Sequence, residues 1–270
     1  MKTVFITGAS SGIGKETAKL FHAMGWNVIA TMRNPGAEEE LGSLENVKIL
    51  HCDVTNKDSI KAAIQEGINT FKSIDVLVNN AGYYVLGPLE MATHEQIKRQ
   101  IDTNLFGLIE STREMIPHFR AQKSGTIINI SSIAGVISIP LQSLYHATKW
   151  GVEGFSESLQ YELRQFNIRV KIIEPGVINT DFYGRSMTML KGDMPAEYES
   201  YTQNVIKNIL KNGKDGSAPD GVARTVYKAA TDNKTKMRYP TGNSKGMIRL
   251  YALLPLRVFH SLVRRVMEKS

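Results

Sequence analysis

The 270-residue sequence predicts an α/β fold, in which a single domain holds a doubly wound parallel sheet with helices on both faces and a C-terminal helical extension follows. Short runs rich in β-branched residues alternate with segments whose apolar residues recur at helical spacing, and small residues follow the predicted strands. The continuous apolar run at 74–79 is typical of a parallel strand buried on both faces. We place the domain at 1–243 and an amphipathic extension at 244–270.

The composition, 42% hydrophobic and 22% charged, is typical of a soluble globular protein. The single cysteine, Cys52, excludes an internal disulfide and offers no metal cluster, so we expect no metal and a reducing, cytoplasmic location. The first strand follows Met1 so closely that no room is left for a signal peptide. The net charge of +7 could attract a phosphorylated cofactor, a nucleic acid or a membrane surface. Because the positive charge is spread out and no basic run or aromatic platform occurs in the first two hundred residues, we expect no nucleic-acid partner.

A strand at 3–7 leads into a glycine-rich turn and then into a helix that ends near Gly25. In this layout the backbone N–H groups and the helix N-terminus can receive a phosphate, and glycines permit its close approach. The spacing of Gly8, Gly12 and Gly14 is Gly-x-x-x-Gly-x-Gly rather than Gly-x-Gly-x-x-Gly, so the turn alone is weak evidence for a dinucleotide.

The second strand, at 27–31, ends in Met32, Arg33 and Asn34. NAD-binding units usually carry an acidic residue here, which binds the ribose 2′-hydroxyl. An uncharged residue followed by an arginine suits a 2′-phosphate instead, so NADP(H) is favoured over NAD(H). The alternative is that Arg33 is a solvated surface charge.

The third predicted strand, at 47–53, ends in Asp53, which could accept a hydrogen bond from an adenine amino group or could help to cap the helix predicted at 57–71. The strand at 74–79 runs into Asn80, Ala81 and Gly82, and small residues at such a strand end mark the ligand crevice of open α/β sheets.

Thr93 and Gln96 form a capping box that begins a long helix extending towards Arg120. Asn104 lies inside this helix although asparagine is a mediocre helix former. A local hydrogen bond to the backbone, or a bend or water site beside an active centre, would each explain it.

The strongest chemical signal is the pair Tyr145 and Lys149, which lie four residues apart on one face of a predicted helix. A free phenol has a pKa of about 10, and an adjacent ammonium lowers that pKa, so Tyr145 could exchange a proton with a substrate oxygen. Ser132, after the strand at 126–131, could give the same oxygen a second hydrogen bond. Taken alone the pair is most often an ordinary helix-surface pair, but no other tyrosine here has a lysine four residues on.

After a sixth strand at 169–174 the alternation changes, and residues 183–215 are predicted to form a lid over an apolar substrate because methionines are frequent there. Alternatively the methionines fill gaps in a core. A helix at 220–231 and a strand at 237–240 follow. The C-terminal helix is basic and amphipathic. It could lie on a membrane or pack over the substrate mouth, and covering the protein's own core is favoured over membrane contact. Its apolar face holds Val258, Phe259, Leu262, Val263 and Val266, opposite Arg257, His260, Arg264 and Arg265.

Together, over about the first 180 residues, these motifs resemble the short-chain dehydrogenase/reductase family in its classical type, in that family's order and spacing. The resemblance rests on the motif from Thr7 to Gly14, the motif from Asn79 to Gly82, and Pro175-Gly176 with Thr180; it implies a Rossmann fold. The later chain is similar to the hydroxysteroid and retinol dehydrogenase-like branch. The implied catalytic residues are Asn104, Ser132, Tyr145 and Lys149. The implied cofactor-binding residues are Gly8, Ser10, Ser11, Gly12, Ile13, Gly14, Arg33, Asn34, Asp53, Val54, Asn80, Ala81, Gly82, Tyr145, Lys149, Pro175, Gly176, Val177 and Thr180.

The resemblance implies an NADP(H)-dependent oxidoreductase that interconverts an apolar ketone or aldehyde and its alcohol, and a homodimer or homotetramer. Tyr145 would donate the proton and Ser132 would orient the carbonyl oxygen. Lys149 would bind the ribose hydroxyls and lower the Tyr145 pKa, and Asn104 would hold a water that links Lys149 to solvent. The alternative is a catalytically silent NADP(H)-sensing regulator on the same fold, but it predicts loss of Tyr145 or Lys149 and both are present. An epimerase or dehydratase of the related extended type differs in length and glycine spacing.

Overall fold

The computed structural model of the protein describes residues 1–178, 187–190, 192–214 and 216–268. Its strands are β1 (Thr3–Thr7), β2 (Asn27–Met32), β3 (Val47–His51), β4 (Val76–Asn79), β5 (Tyr84–Leu86), β6 (Gly125–Ile130), β7 (Ile168–Pro175), β8 (Met187–Met189) and β9 (Arg238–Thr241). Its helices are α1 (Gly12–Ala23), α2 (Lys57–Phe71), α3 (His94–Ile101), α4 (Gly107–Gln122), α5 (Ser143–Leu163), α6 (Ala196–Lys214), α7 (Pro219–Thr231), α8 (Ser244–Leu253) and α9 (Leu256–Met267).

Seven of these strands form one parallel sheet in the order β3-β2-β1-β4-β6-β7-β9. The chain builds outward from β1 to β3, then crosses back to β4 on the other side of β1. Ligands of open α/β sheets bind at such a reversal, outside the carboxyl ends of the strands. The predicted doubly wound parallel sheet is therefore confirmed.

Alternate residues of the strands pack into two separate cores because successive side chains of a strand point to opposite faces. Val4 and Ile6 of β1 join α1 and α7 in one core, whereas Phe5 joins α2, α4 and α5 in the other. The same alternation runs through β2 and β4. Both faces of the sheet are thus covered, which accounts for the continuously apolar strands.

The long helix predicted from Thr93 towards Arg120 forms, with one irregularity. Its capping box is confirmed, since the Thr93 hydroxyl accepts from the Gln96 N–H and the Gln96 side chain accepts from the Thr93 N–H. Between α3 and α4 the chain makes a π-helical turn, Asp102–Phe106, with Asn104 at its centre. Such turns displace the side chains that follow and are frequent at functional sites.

Two parts of the predicted lid have structure that the sequence pattern did not indicate. Helix α6 occupies most of its second half, buries Val205 and Ile209 and packs Ile206 against the same core. Strand β8 pairs in parallel with β5 in a second, two-stranded sheet. The lid role itself stays a prediction, and residues 179–186, 191 and 215 lie outside the described residues.

The extension predicted at 244–270 begins with two helices, α8 and α9, joined at Pro255. Ser244 fixes its start to the sheet, because its buried hydroxyl donates to the carbonyl oxygens of Glu174 and Thr241. Helix α9 contacts α6, where the Asn208 side chain donates to the Met267 carbonyl oxygen. The boundary at residue 243 stays a prediction.

Candidate active site

A cleft of about 900 Å³ opens where β1, β4 and β6 end, and most of the predicted site residues line it. Gly14 and Asn34 do not line it, and Thr180 lies outside the described residues. The predicted residues that do line it are Gly8, Ser10, Ser11, Gly12, Ile13, Arg33, Asp53, Val54, Asn80, Ala81, Gly82, Asn104, Ser132, Tyr145, Lys149, Pro175, Gly176 and Val177.

Hydrogen bonds hold the glycine-rich turn against the end of β4. The two backbones approach so closely that a side chain at Gly8 or Gly14 would clash. Asn80 donates from its side chain to the carbonyl oxygens of Thr7 and Gly8, and the Thr7 hydroxyl accepts from the N–H groups of Asn80 and Ala81. Gly8 has a φ of +68°, and a Cβ there would lie 2.8 Å from the Cα of Ala81. A Cβ on Gly14 would lie 2.3 Å from the Gly8 oxygen, so this position requires glycine for packing, and its contact with a cofactor stays a prediction.

Helix α1 begins at this turn with its first N–H groups available to an anion. Ser11 at its N-cap makes no capping hydrogen bond within the described chain, and the first turn carries no acidic residue. The uncapped N–H groups and the helix dipole favour a phosphate here. The turn therefore fits the pyrophosphate of a dinucleotide cofactor.

The ends of β2 and β3 form the outer part of the cleft, where Arg33 is exposed. The Asp53 carboxylate accepts hydrogen bonds from the N–H and hydroxyl of Thr55. Partial burial opposes its ionisation, but these bonds and the Arg33 charge prevail and hold the pKa of Asp53 below its usual value. The suggested capping role of Asp53 is wrong: α2 begins at Lys57, and the residue before it, Asn56, accepts from the Ser59 N–H instead.

Ser132 and Tyr145 lie at the inner end of the cleft. The Ser132 oxygen accepts from the Ala134 N–H at 3.1 Å, which leaves the hydroxyl proton able to donate to a ligand. Tyr145 is 7% exposed, and its ring packs edge-to-face on Tyr84 with centroids 5.0 Å apart. Such an aromatic pair contributes about 0.5–1.5 kcal/mol beyond the burial of its surface. The pair fixes the Tyr145 ring against β5.

Lys149 extends beneath the Tyr145 ring, with its Nζ 5.7 Å from the ring centroid, and donates to the Ile130 carbonyl oxygen at 2.8 Å. The side chain is 8% exposed. Burial lowers the pKa of Lys149 to about 8, against the opposing charge of Glu153. The structure thus places the predicted ammonium beside the predicted phenol.

Beyond Lys149 lies a buried acidic pair that is not among the predicted site residues. Glu153 and Glu174 share Arg238, whose Nε lies 3.2 Å from Glu153 Oε2 and 3.5 Å from Glu174 Oε1. Burial raises the pKa of both carboxyls, and the Glu153 charge raises the pKa of Glu174 further, to about 7. The spacing of Tyr145, Lys149 and Glu153 at every fourth residue could have indicated Glu153, whereas Glu174 and Arg238 come from other strands.

Asn104 is 2% exposed and bonds to a distant part of the backbone. Its Oδ1 accepts from the Tyr83 N–H at 3.0 Å, and its Nδ2 donates to the Tyr83 carbonyl oxygen at 2.7 Å. The hydrogen bond is therefore not local, and the helix is distorted into a π turn at this residue. Asn104 holds the segment after β4 against the cleft.

His146 is a further cleft residue that the sequence did not indicate. Its Nε2 accepts from the Ile139 N–H, so its Nδ1 donates to the Ala134 carbonyl oxygen at 2.8 Å. Burial lowers the pKa of His146, which favours this neutral form. The ring therefore holds the loop after β6 over the cleft.

The part of the cleft beyond Tyr145 is largely apolar. Helix α6, within the predicted lid, and the C-terminal helices α8 and α9 supply side chains to it. The apolar residues of this part include Tyr84, Ile137, Ile139, Ile209, Met247, Val266 and Met267. The cleft therefore has a polar half that suits a nucleotide and an apolar half that suits a hydrophobic ligand.

Two kinds of feature are absent from the described residues. No group of three histidine, cysteine or acidic side chains is placed to hold a metal ion. No helix combines the length and the apolar character that are needed to cross a membrane.

Comparison with known proteins gives consistent matches. The family described as short chain dehydrogenase matches residues 2–190. An uncharacterized oxidoreductase of Schizosaccharomyces pombe is 42% identical over 212 residues, covering 78% of this chain and 89% of the relative. The 3-ketodihydrosphingosine reductase of Bacteroides thetaiotaomicron is 38% identical over 240 residues, covering 88% and 87%.

Solved structures match over nearly the whole chain. A short-chain dehydrogenase from Streptomyces avermitilis has a TM-score of 0.84 at 28% identity and covers 98% of both chains. ElxO, solved with NADP bound, has a TM-score of 0.76 at 26% identity and covers 91% of this chain and 99% of its own. A nicotinamide cofactor is therefore supported.

The buried acidic pair generates a pH prediction. Since the Glu174 pKa rises from 4.5 to about 7 on folding, the folded state holds a proton that the unfolded chain releases over this range. The contribution of this proton to the free energy of unfolding is complete below pH 4.5 and is lost as the pH rises towards 7. Urea unfolding at about pH 5 and about pH 8 should show that Glu174→Gln reduces the fall in unfolding free energy by about 2 kcal/mol.

The matched control is Glu157→Gln, since Glu157 also contacts Arg238 but its side chain is 53% exposed. This control should keep the pH dependence of the wild type. If Glu174→Gln keeps it too, Glu174 is not the group that titrates.

Proposed function

This chain belongs to the short-chain dehydrogenase/reductase family, and from that premise we propose that it is an NADP(H)-dependent enzyme interconverting an apolar ketone or aldehyde and its alcohol. The observation that carries the proposal is the buried Tyr145–Lys149 pair, placed between a polar and an apolar half of one cleft. The relative at 38% identity is named for the reduction of 3-ketodihydrosphingosine, which is consistent with a carbonyl substrate.

The cofactor would lie along the ends of β1, β2 and β4. The glycine-rich turn and the start of α1 would hold its pyrophosphate. At the end of β2, Met32 is buried and Arg33 is the exposed charge, while the nearby Asp53 carboxylate is engaged by Thr55. An arginine without a competing free carboxylate favours a 2′-phosphate, and this supports NADP(H) over NAD(H).

Bound there, NADPH would supply the hydride that reduces the carbonyl carbon. Tyr145 would donate its phenolic proton to the carbonyl oxygen, and the Ser132 hydroxyl would donate a hydrogen bond to the same oxygen. Lys149, held by the Ile130 carbonyl, would lower the Tyr145 pKa through its positive charge and would contact the cofactor ribose. The alcohol then carries one hydride and one proton, and Tyr145 regains its proton from solvent.

Asn104 would contribute indirectly. Its side chain makes one bond to Tyr83 at each polar atom, which leaves a second Nδ2 hydrogen and a second Oδ1 lone pair. These groups and the backbone of the π-helical turn would be available to a water that links Lys149 to solvent. The side chain itself would act as a positioning group for the loop that follows β4.

We also propose a homodimer or homotetramer in a reducing, cytoplasmic location. Phe106, Trp150 and Tyr161 lie on the helices around the π turn and on α5, and they are 53%, 47% and 72% exposed. Large apolar side chains at this exposure are typical of contact surfaces between subunits.

The proposed function is tested by NADPH oxidation against a panel of apolar ketones and aldehydes. Tyr145→Phe keeps the ring packing on Tyr84 but removes the proton, so we expect kcat to fall by about a hundredfold or more with nucleotide affinity nearly unchanged. Turnover by Tyr145→Phe at the wild-type rate would contradict the role of Tyr145. Tight nucleotide binding without turnover of any carbonyl would instead favour the regulator.

Cofactor preference is tested separately through Arg33. Because a charge-assisted bond to phosphate is worth about 1.5–3 kcal/mol, Arg33→Ala should weaken NADPH binding about tenfold or more and leave NADH binding nearly unchanged. Calorimetric titration with both nucleotides measures this. Lys15→Ala is the control, since Lys15 pairs with Glu38 and Glu40 and does not line the cleft. Equal weakening of both nucleotides by Arg33→Ala would refute 2′-phosphate recognition.

A further inference from the structure

Helices α8 and α9 present an apolar surface that the rest of the described chain leaves exposed. We call it the C-terminal surface. The side chains that form it are between 36% and 82% exposed, and Leu253 is the most exposed of them. They are Met247, Leu250 and Leu253 on α8, with Leu256, Val258, Leu262 and Val266 on α9. Exposed apolar side chains concentrated on two consecutive helices indicate an interaction site rather than ordinary surface.

The apolar arc of α9 is wider than the face that the protein covers. Phe259 is 3% exposed and packs on Tyr251 with ring centroids 4.9 Å apart. The neighbouring stripe of Val258, Leu262 and Val266, spaced by four residues, is 45%, 40% and 58% exposed. The expectation that the apolar face of this helix covers the protein's own core is therefore wrong for half of that face.

The same segment accounts for most of the net positive charge of the chain. Residues 244–270 hold six basic residues and one acidic residue, a net +5 out of the +7 of the whole protein. Arg249 on α8 lies four residues before the exposed Leu253. On α9, Arg265 lies three residues after Leu262, which puts it at the edge of the exposed stripe rather than opposite the apolar face, where the sequence pattern places it. Neither takes part in an ion pair between described residues.

We propose that the C-terminal surface docks the protein on an anionic membrane surface, with α9 lying in the plane of the interface. Exposed apolar side chains would enter the headgroup boundary, and the flanking arginines would contact lipid phosphates. Each Lys or Arg near such a surface contributes about 1 kcal/mol. A second copy of the chain is a poorer occupant, because a two-fold contact would place this basic segment against itself.

The C-terminal surface also borders the cleft. Met247 and Val266 belong to the surface, and both line the apolar half of the cleft together with Met267. Docking through this surface would place the cleft mouth against the lipid. An apolar carbonyl compound could then enter from the bilayer without crossing water. This delivery role rests on the proposed function, whereas docking itself does not.

Docking is tested by flotation of the full chain with phosphatidylcholine vesicles, with and without phosphatidylserine. We expect binding that requires phosphatidylserine and weakens with salt. Val258→Asp/Leu262→Asp should lower the affinity about tenfold or more, since it places charge on the apolar stripe away from the cleft lining. Arg249→Glu/Arg265→Glu should do the same through charge and leaves the apolar stripe intact.

Met24→Asp is the matched control, because Met24 is 51% exposed at the C-terminal end of α1, distant in sequence from the C-terminal surface and outside the proposed subunit contact. It should bind vesicles like the wild type. Failure of the wild type to float with either vesicle overturns the proposal. So does floating that the stripe and arginine variants leave unchanged, or loss of self-association in those variants without any vesicle binding.

Turnover of a water-soluble carbonyl with NADPH in the absence of vesicles separates docking from the proposed function. Both double variants should keep that turnover. Docking without turnover would support the membrane-docking proposal and contradict the proposed enzymatic function. Turnover without docking would support the enzymatic function and contradict docking.

Discussion

The hydrogen bond from Lys149 to the Ile130 carbonyl is the interaction on which the rest of the site depends. It joins the buried ammonium of Lys149, on α5, to the end of β6 and holds that ammonium beneath the Tyr145 ring. A charge buried to this degree is stable only where polar groups are already placed to receive it. Here the receiving carbonyl belongs to a strand end, and Glu153 adds an opposing charge one turn further along the helix. The position of the phenol therefore follows from the sheet.

The cofactor half of the cleft depends on a second link between strands. Thr7 and Asn80 bind the ends of β1 and β4 together, and the glycine-rich turn closes over that contact. This is the point where the strand order reverses, so both links lie on the same edge of one rigid sheet. Helices α6, α8 and α9 supply part of the apolar half. In the proposed function, the groups that carry the chemistry therefore lie at the edge of the sheet, and part of the substrate contact comes from helices outside it.

The sequence predicts the sheet well because strands buried on both faces have unmistakable composition, and it predicts the strand-end residues because they follow those strands directly. It does not predict α6, whose apolar residues Val205, Ile206 and Ile209 recur over little more than one turn. Nor does it predict the pairing of β5 with β8, since three-residue strands carry little periodicity. Gly14 matches the motif but serves packing, and Glu174 meets Glu153 only through the fold. A sequence pattern does not show which residues, far apart along the chain, come into contact in the fold.

The central claim, that Lys149 acts on catalysis through Tyr145, is tested most directly by a double-mutant cycle on kcat at saturating NADPH. Lys149→Met keeps the length of the side chain and removes its charge, and Tyr145→Phe removes the proton donor. If the two residues form one unit, each single change lowers kcat steeply and the double variant is little worse than Tyr145→Phe alone. Losses that simply add in free energy would contradict the account, because the ammonium would then act independently of the phenol.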